Sequence, residues 1–84
     1  MPYFVYILKS LKDSGYYIGH TKNVERRLRE HNLGRVKSTK CRRPFKLIYT
    51  EKFETKKEAF AKEMYLKSPE GYFEKLEIVK KFGA

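Results

Sequence analysis

YYIGHTKNVERRLREH, residues 16–31, joins a short strand to a helix, and the rest of the chain is arranged around that joint. Tyr16 to His20 combines aromatic and β-branched residues, which suit a pleated, half-buried strand. Asn23 then stands where a helix N-cap belongs, with a side-chain oxygen able to accept from an orphan N–H of the first turn. A helix is expected from Val24 to about Leu33, with Gly34 as its stop. Val24, Leu28 and Leu33 supply its apolar stripe. Arg27 and His31 are four apart and so share one edge of that helix.

Upstream, Tyr3 to Leu8 is a continuous apolar run bounded by Pro2 and Lys9-Ser10. At that length it is expected as a strand buried on both faces and central in its sheet. Ser10 to Gly15 ends in Asp-Ser-Gly, a turn signal, so the two strands form an antiparallel hairpin. Downstream, Gly34 to Pro44 lacks apolar periodicity and carries Arg35, Lys37, Lys40, Arg42 and Arg43. It is expected as a basic surface loop. Phe45 to Phe53 is a third strand, with Leu47 and Tyr49 on one face and Ile48 on the other. Thr55-Lys56-Lys57-Glu58 fits a capping box. The helix behind it should run to about Lys67 and bring Ala59, Phe60, Met64 and Leu66 to the core. Ser68-Pro69 is expected to cap a last helix burying Tyr72, Leu76, Val79 and Phe82. The class is α+β: a three-stranded antiparallel sheet flanked by helices, in the order β-β-α-β-α-α.

Composition narrows the partners. The 84 residues are expected to form one domain, spanning 1–84, with seven Tyr and six Phe to fill a small core. Twenty Lys and Arg against ten Asp and Glu give a formal charge of +10, which predicts attraction to polyanions, nucleic acid first. No apolar run approaches the ~18 residues of a membrane span, and the N-terminus lacks the build of a secretion signal. The lone Cys41 cannot form an internal disulfide, so a cytoplasmic setting is expected. No CxxC, HExxH or Gly-rich phosphate loop points to other metal or nucleotide chemistry.

Cutting a phosphodiester needs a nucleophilic water, neutralisation of charge on the phosphoryl oxygens and help for the leaving oxygen. Mg²⁺ keeps most of its waters, so one carboxylate can suffice to hold it. Arg offers phosphate a charged planar fork, and Tyr and His can move protons. The chain holds residues for each role in a particular spacing. Tyr6, in Phe4-Val5-Tyr6, and Tyr17, in Tyr17-Ile18-Gly19, are eleven apart; Arg27 and His31 lie ten and fourteen past Tyr17. With Glu63 in KKEAFAKEMYLKS, this pattern resembles the GIY-YIG nuclease family, and most of all its small stand-alone bacterial members. Like them, it has YYIG-x-T-x-N, R-x-x-x-H-N-x-G and an S-T-K…R-R-P loop.

The resemblance implies a role for each matched residue. Tyr6 and Tyr17 would line the site, one of them activating water, and Arg27 would bind the scissile phosphate. His31 would shuttle a proton or position a tyrosine. Gly19 would permit close approach, His20 would make a polar contact, and Glu63 would hold Mg²⁺ or Mn²⁺. Two positions depart from the family: Phe4 replaces the first motif's glycine, and no asparagine follows Glu63 to serve the metal. A tyrosine's ordinary pKa is near 10, so a basic tyrosine needs a cation or a basic group beside it. Taken singly these residues are ordinary. Glu63, for one, stands four before Lys67, where an ion pair is common.

The expected function is therefore metal-dependent hydrolysis of DNA, favoured over RNA, in repair or recombination. A protein partner would supply the specificity that a lone catalytic domain lacks. The alternative is a nucleic-acid-binding module that keeps the fold but cuts little, with the basic loop contacting phosphates. A domain whose basic face meets an acidic protein would leave the spacing unexplained.

Overall fold

The computed structural model describes residues 1–83. Strands β1 (Tyr3–Ser10) and β2 (Tyr16–Thr21) form the hairpin, followed by helix α1 (Val24–Asn32), strand β3 (Phe45–Phe53) and helices α2 (Lys56–Lys67) and α3 (Tyr72–Phe82). The sheet is antiparallel with order β2-β1-β3, so the apolar first strand is central and β2 is an edge. The N-caps of α1 and α2 have the expected chemistry. Asn23 accepts from the Arg26 N–H at 3.0 Å, and Thr55 and Glu58 close a reciprocal capping box. At the hairpin turn, the Ser10 hydroxyl oxygen accepts from the Lys12 and Asp13 N–H groups, both at 3.1 Å.

Because β1 is central, its alternating side chains feed two cores. Val5 and Ile7 pack with Ile18, Ile48, Ala59, Leu66, Ile78 and Val79 beneath α2 and α3. Tyr6 and Leu8 pack with Phe45, flanked by Tyr17, Val24, Leu28 and Leu47, beneath α1. Burying each large aliphatic side chain contributes about 1.5–3 kcal/mol, so these two layers carry most of the stability of so short a chain.

Four expectations are corrected by packing. A register shift opposite Ile7 and Leu8 leaves Ile48 without a partner on β1, a bulge that turns the strand. Leu47 consequently faces α1 while Ile48 and Tyr49 both join the other core. On α2, Ala59 and Leu66 are buried as expected, but Phe60 and Met64 are exposed; the third buried position is Glu63. The last helix starts at Tyr72, not beside Pro69. Ser68 caps the end of α2, its hydroxyl donating to the Tyr65 carbonyl at 2.6 Å. Gly71 packs so closely on that carbonyl that a Cβ would overlap it. The core side of α3 is accordingly Ile78 and Val79, and Tyr72, Leu76 and Phe82 stay largely exposed. The loop from Gly34 to Pro44 is also less plain than its composition. It contains a single 3-10 turn over Lys40–Arg42, preceded by a fully buried Thr39.

Candidate active site

Alternation along β2 sends Tyr17 and Gly19 to the α1 side of the sheet and Ile18 and His20 to the α2 side. The site residues fall into two groups accordingly. On the α1 side the Tyr6 hydroxyl lies 3.0 Å from His31 Nε2, both residues being buried. The Tyr17 ring stacks at a tilt 4.8 Å from the His31 ring and 6.2 Å from that of Tyr6. His31 is held from behind as well: its Nδ1 is 2.8 Å from the Thr39 hydroxyl. The next residue, Asn32, locks the end of α1 to the start of β3. Its side chain donates to the Phe45 carbonyl at 3.1 Å and accepts from the Phe45 N–H at 2.7 Å. Gly19 lies opposite Tyr6 in the β1–β2 register, and a Cβ there would stand 2.6 Å from the Tyr6 oxygen.

Burial dominates the electrostatics of this group. It pushes the Tyr6 hydroxyl up to about 12, against the opposing pull of the Arg27 guanidinium beside it. It also pushes the His31 imidazole down to about 4, with the Arg27 charge adding to the effect, so His31 is neutral near pH 7. Arg27 donates to Glu30 at 3.0 Å and holds that carboxyl below its usual range.

The second group lies on the α2 side. Both oxygens of Glu63 are engaged: His20 Nδ1 stands 2.6 Å from Oε1, and the Lys67 ammonium donates to Oε2 at 2.7 Å. Phe60, one helical turn before Glu63, meets His20 edge-on at 5.5 Å. Lys67 also reaches round the edge strand to lie 5.9 Å from the Tyr17 ring centroid, linking the two groups. A cleft of about 540 Å³ lies beside the end of β2 and the first turns of α1, lined by His20, Lys22, Asn23, Arg26, Arg27 and Glu30, so it touches each group through one residue.

No three His, Cys, Asp or Glu side chains converge among the described residues. The donor set therefore suits an ion that keeps most of its waters: Glu63 offers one hard carboxylate, and Lys67, on a flexible and half-exposed stem, would have to yield its oxygen. The basic loop is not uniform. Arg35, Lys37, Lys40 and Arg43 are exposed. Arg42 is committed to the fold, donating to Asp13 at 2.8 Å, while its carbonyl accepts from Ser10 at 2.6 Å. The cleft residues Lys22 and Arg26 carry no signal in the sequence, and Thr39 carries only its place in the S-T-K motif, which does not reveal its burial against His31. Lys67 carries one through its spacing from Glu63.

Residues 2–76 match the GIY-YIG catalytic domain. UPF0213 protein SSP2268 of Staphylococcus saprophyticus is 43% identical over 67 residues, covering 79% of this chain and 80% of that protein. UPF0213 protein YazA of Bacillus subtilis is 44% identical over 66 residues, covering 77% of this chain and 66% of that protein. The solution NMR structure of UPF0213 protein BH0048 from Bacillus halodurans superposes with a TM-score of 0.58 at 36% identity, covering 99% of this chain and 88% of that one. The domain match, the sheet order and the spacing from Tyr6 to Glu63 agree: the chain is a small member of the GIY-YIG family.

Proposed function

We propose that this chain is a metal-dependent endonuclease-like phosphodiesterase that hydrolyses DNA, working in repair or recombination in the cytoplasm. The observation that carries the reading is the buried Tyr6–His31 hydrogen bond, flanked by the Tyr17 ring and by Arg27, which also lines a basic cleft. Arg27 would exchange Glu30 for the scissile phosphate, which matches its fork better and carries the same sign of charge. The Tyr6 oxygen would take a proton from the attacking water as its own proton passes to His31 Nε2. Gly19 keeps the space beside that oxygen clear. A Mg²⁺ or Mn²⁺ ion on Glu63, when bound, would neutralise phosphoryl charge and lower the pKa of a water. His20 would hold the Glu63 carboxylate in place. Arg35, Lys37, Lys40 and Arg43 would contact flanking phosphates. A catalytic domain of this size would take its target choice from a protein partner or from DNA structure. Among the described residues no helix is long and apolar enough to cross a membrane, and Cys41 is a free thiol.

The test incubates wild type, Arg27→Ala and Glu63→Ala with supercoiled, branched and single-stranded DNA, in Mg²⁺, in Mn²⁺ and in chelator. Wild type should cut only with metal, and each variant should lose roughly a hundredfold or more. Equal inertness, or equal activity, sinks the proposal. A second reading, a binding module with little cleavage, draws on the ion pairs Arg27–Glu30 and Glu63–Lys67, which already satisfy both key charges. It predicts steeply salt-dependent binding to DNA or RNA with no metal-dependent product.

A further inference from the structure

Thr39 lies in the basic loop, yet it is only 1% exposed and its hydroxyl points at His31. Its backbone is fixed on both sides: its N–H donates to the Val36 carbonyl at 3.1 Å, and its carbonyl accepts from the Arg42 N–H at 2.9 Å. The three side chains Tyr6, His31 and Thr39 thus form one buried line, 3.0 Å and 2.8 Å between successive polar atoms. We propose that Thr39 is a positioning residue, whose hydroxyl fixes His31 in the Nδ1–H tautomer and so turns the Nε2 lone pair toward Tyr6. The inference deepens the reading of Tyr6 and His31 as the proton-handling pair and rests on it.

Counting hydrogens selects the tautomer. With Nδ1 protonated, His31 donates to the Thr39 oxygen, Thr39 donates to the Val36 carbonyl 3.4 Å away, and Tyr6 donates to Nε2. Every hydrogen has an acceptor. With Nε2 protonated, His31 donates to the Tyr6 oxygen, and the Tyr6 hydrogen then has no acceptor, because Arg27 beside it is a donor only. A buried donor left unpaired is costly, so the first arrangement prevails. The same count chooses between the tyrosines: Tyr6 is the one whose proton already faces a base, and the Tyr17 contact with His31 is through its ring. Threonine suits the task because its branched Cβ restricts χ1 and holds the hydroxyl in one direction.

The test uses the full chain labelled with ¹⁵N, reading the His31 ring nitrogens by NMR in wild type, Thr39→Val, Thr39→Ala and Thr39→Ser. Wild type should show Nδ1–H alone. Thr39→Val should show mixed tautomers, with kcat on DNA lowered about tenfold to a hundredfold and KM little changed. Thr39→Ser should restore both, and Thr39→Ala serves if the valine variant does not fold. A wild-type Nε2–H tautomer overturns the proposal, as does a hydroxyl-free variant that keeps the wild-type tautomer. The ring-nitrogen readout needs no cleavage, so a chain that cuts no DNA would fail the nuclease reading while this assignment is decided separately.

Discussion

Replacing Gly19 by alanine should break the tyrosine–histidine pair from the opposite side. The added Cβ would lie 2.6 Å from the Tyr6 oxygen, 2.8 Å from its Cζ and 3.1 Å from Cε2 of Tyr17. Relaxed heavy-atom separations of this kind are about 3.5 Å or longer, so the Tyr6 ring would have to retreat by roughly 0.7 Å or more. It has nowhere to go. Tyr6 is 2% exposed, His31 stands 3.0 Å beyond its hydroxyl, and Thr39 stands 2.8 Å beyond that. Nor can the backbone give way easily, because β1 is hydrogen-bonded on both edges. Overpacking of this kind costs about 1–3 kcal/mol. In a domain of this size that lowers the melting temperature by roughly 4–24 °C.

The penalty is steric and not conformational. Gly34 is the glycine with a positive φ, whereas Gly19 sits in regular strand, where alanine alone would be tolerated or mildly stabilising. Urea and thermal unfolding of Gly19→Ala should therefore show the loss in the wild-type background. In a Tyr6→Phe background the loss should shrink by about 0.5–1 kcal/mol, because the nearest clashing atom is gone. A variant as stable as wild type, or one with the same loss in both backgrounds, would refute the reasoning.

Acid should destabilise the fold through His31. Its folded pKa of about 4 lies below the free value of 6.5, so its contribution is complete above pH 6.5 and is lost as pH falls toward 4. The loss is on the order of 3 kcal/mol by linkage; a urea midpoint that is flat from pH 7 to 4.5 contradicts it. Asp13, held down to about 2 by its bond to Arg42, contributes fully above 3.8 and loses that contribution as pH falls toward 2, so the destabilisation by Arg42→Ala should shrink across that window in pH-dependent melts; a constant loss contradicts it. Tyr6→Phe should lower kcat by about 10²–10⁴ if Tyr6 handles the proton, and Tyr17→Phe by much less; the reverse order in single-turnover assays would reassign the role. Lys67→Ala should tighten Mn²⁺ binding by calorimetry, since it frees Oε2 of Glu63 from a competing cation, and Glu63→Gln should abolish it; unchanged affinity in both places the ion elsewhere. Reversing Arg35, Lys37 and Lys40 should flatten the slope of log K against log salt by about 0.9 for each duplex phosphate that is no longer neutralised. An unchanged slope removes the loop from the interface.

The local chemistry of the fold is legible because it is local. Asn23, the Thr55–Glu58 box and the apolar run of β1 each declare their structure within a few residues, and each stands as expected. The bulge at Ile48 is not legible, since an extra residue in one strand becomes visible only against its partner. Hydrophobicity alone sends Phe60 and Met64 to the core. Glu63 takes the buried place instead, because His20 and Lys67 satisfy both its oxygens and offset the cost of burying a carboxylate. The direction in which Thr39 faces is the least visible of all, although the residue itself stands in the S-T-K motif. Nothing in a run of Lys, Ser, Thr and Arg distinguishes a threonine facing solvent from one facing a histidine eight residues back. Only the return of the loop over the end of α1 decides that.

The two groups of candidate residues lie on opposite faces of one strand, and that strand is at the sheet's edge. Tyr6, Tyr17 and His31 belong to the α1 layer, and His20 and Glu63 to the α2 layer. Had β2 been central, a neighbouring strand would separate them, and no ligand could touch both. At the edge, the layers are divided by the thickness of a single strand, and Lys67 already crosses it to reach Tyr17. The proposed chemistry needs such a crossing: Arg27, which would bind the phosphate, and Glu63, which would hold the ion, lie on its two sides. His20 and Arg27, one from each layer, share the walls of one cleft. An exposed strand edge is ordinarily a hazard for sheet-to-sheet association. Here Lys22 and Arg26 stand beside the edge, where like charges oppose the approach of a second copy and, in the proposed function, would draw in a polyanion.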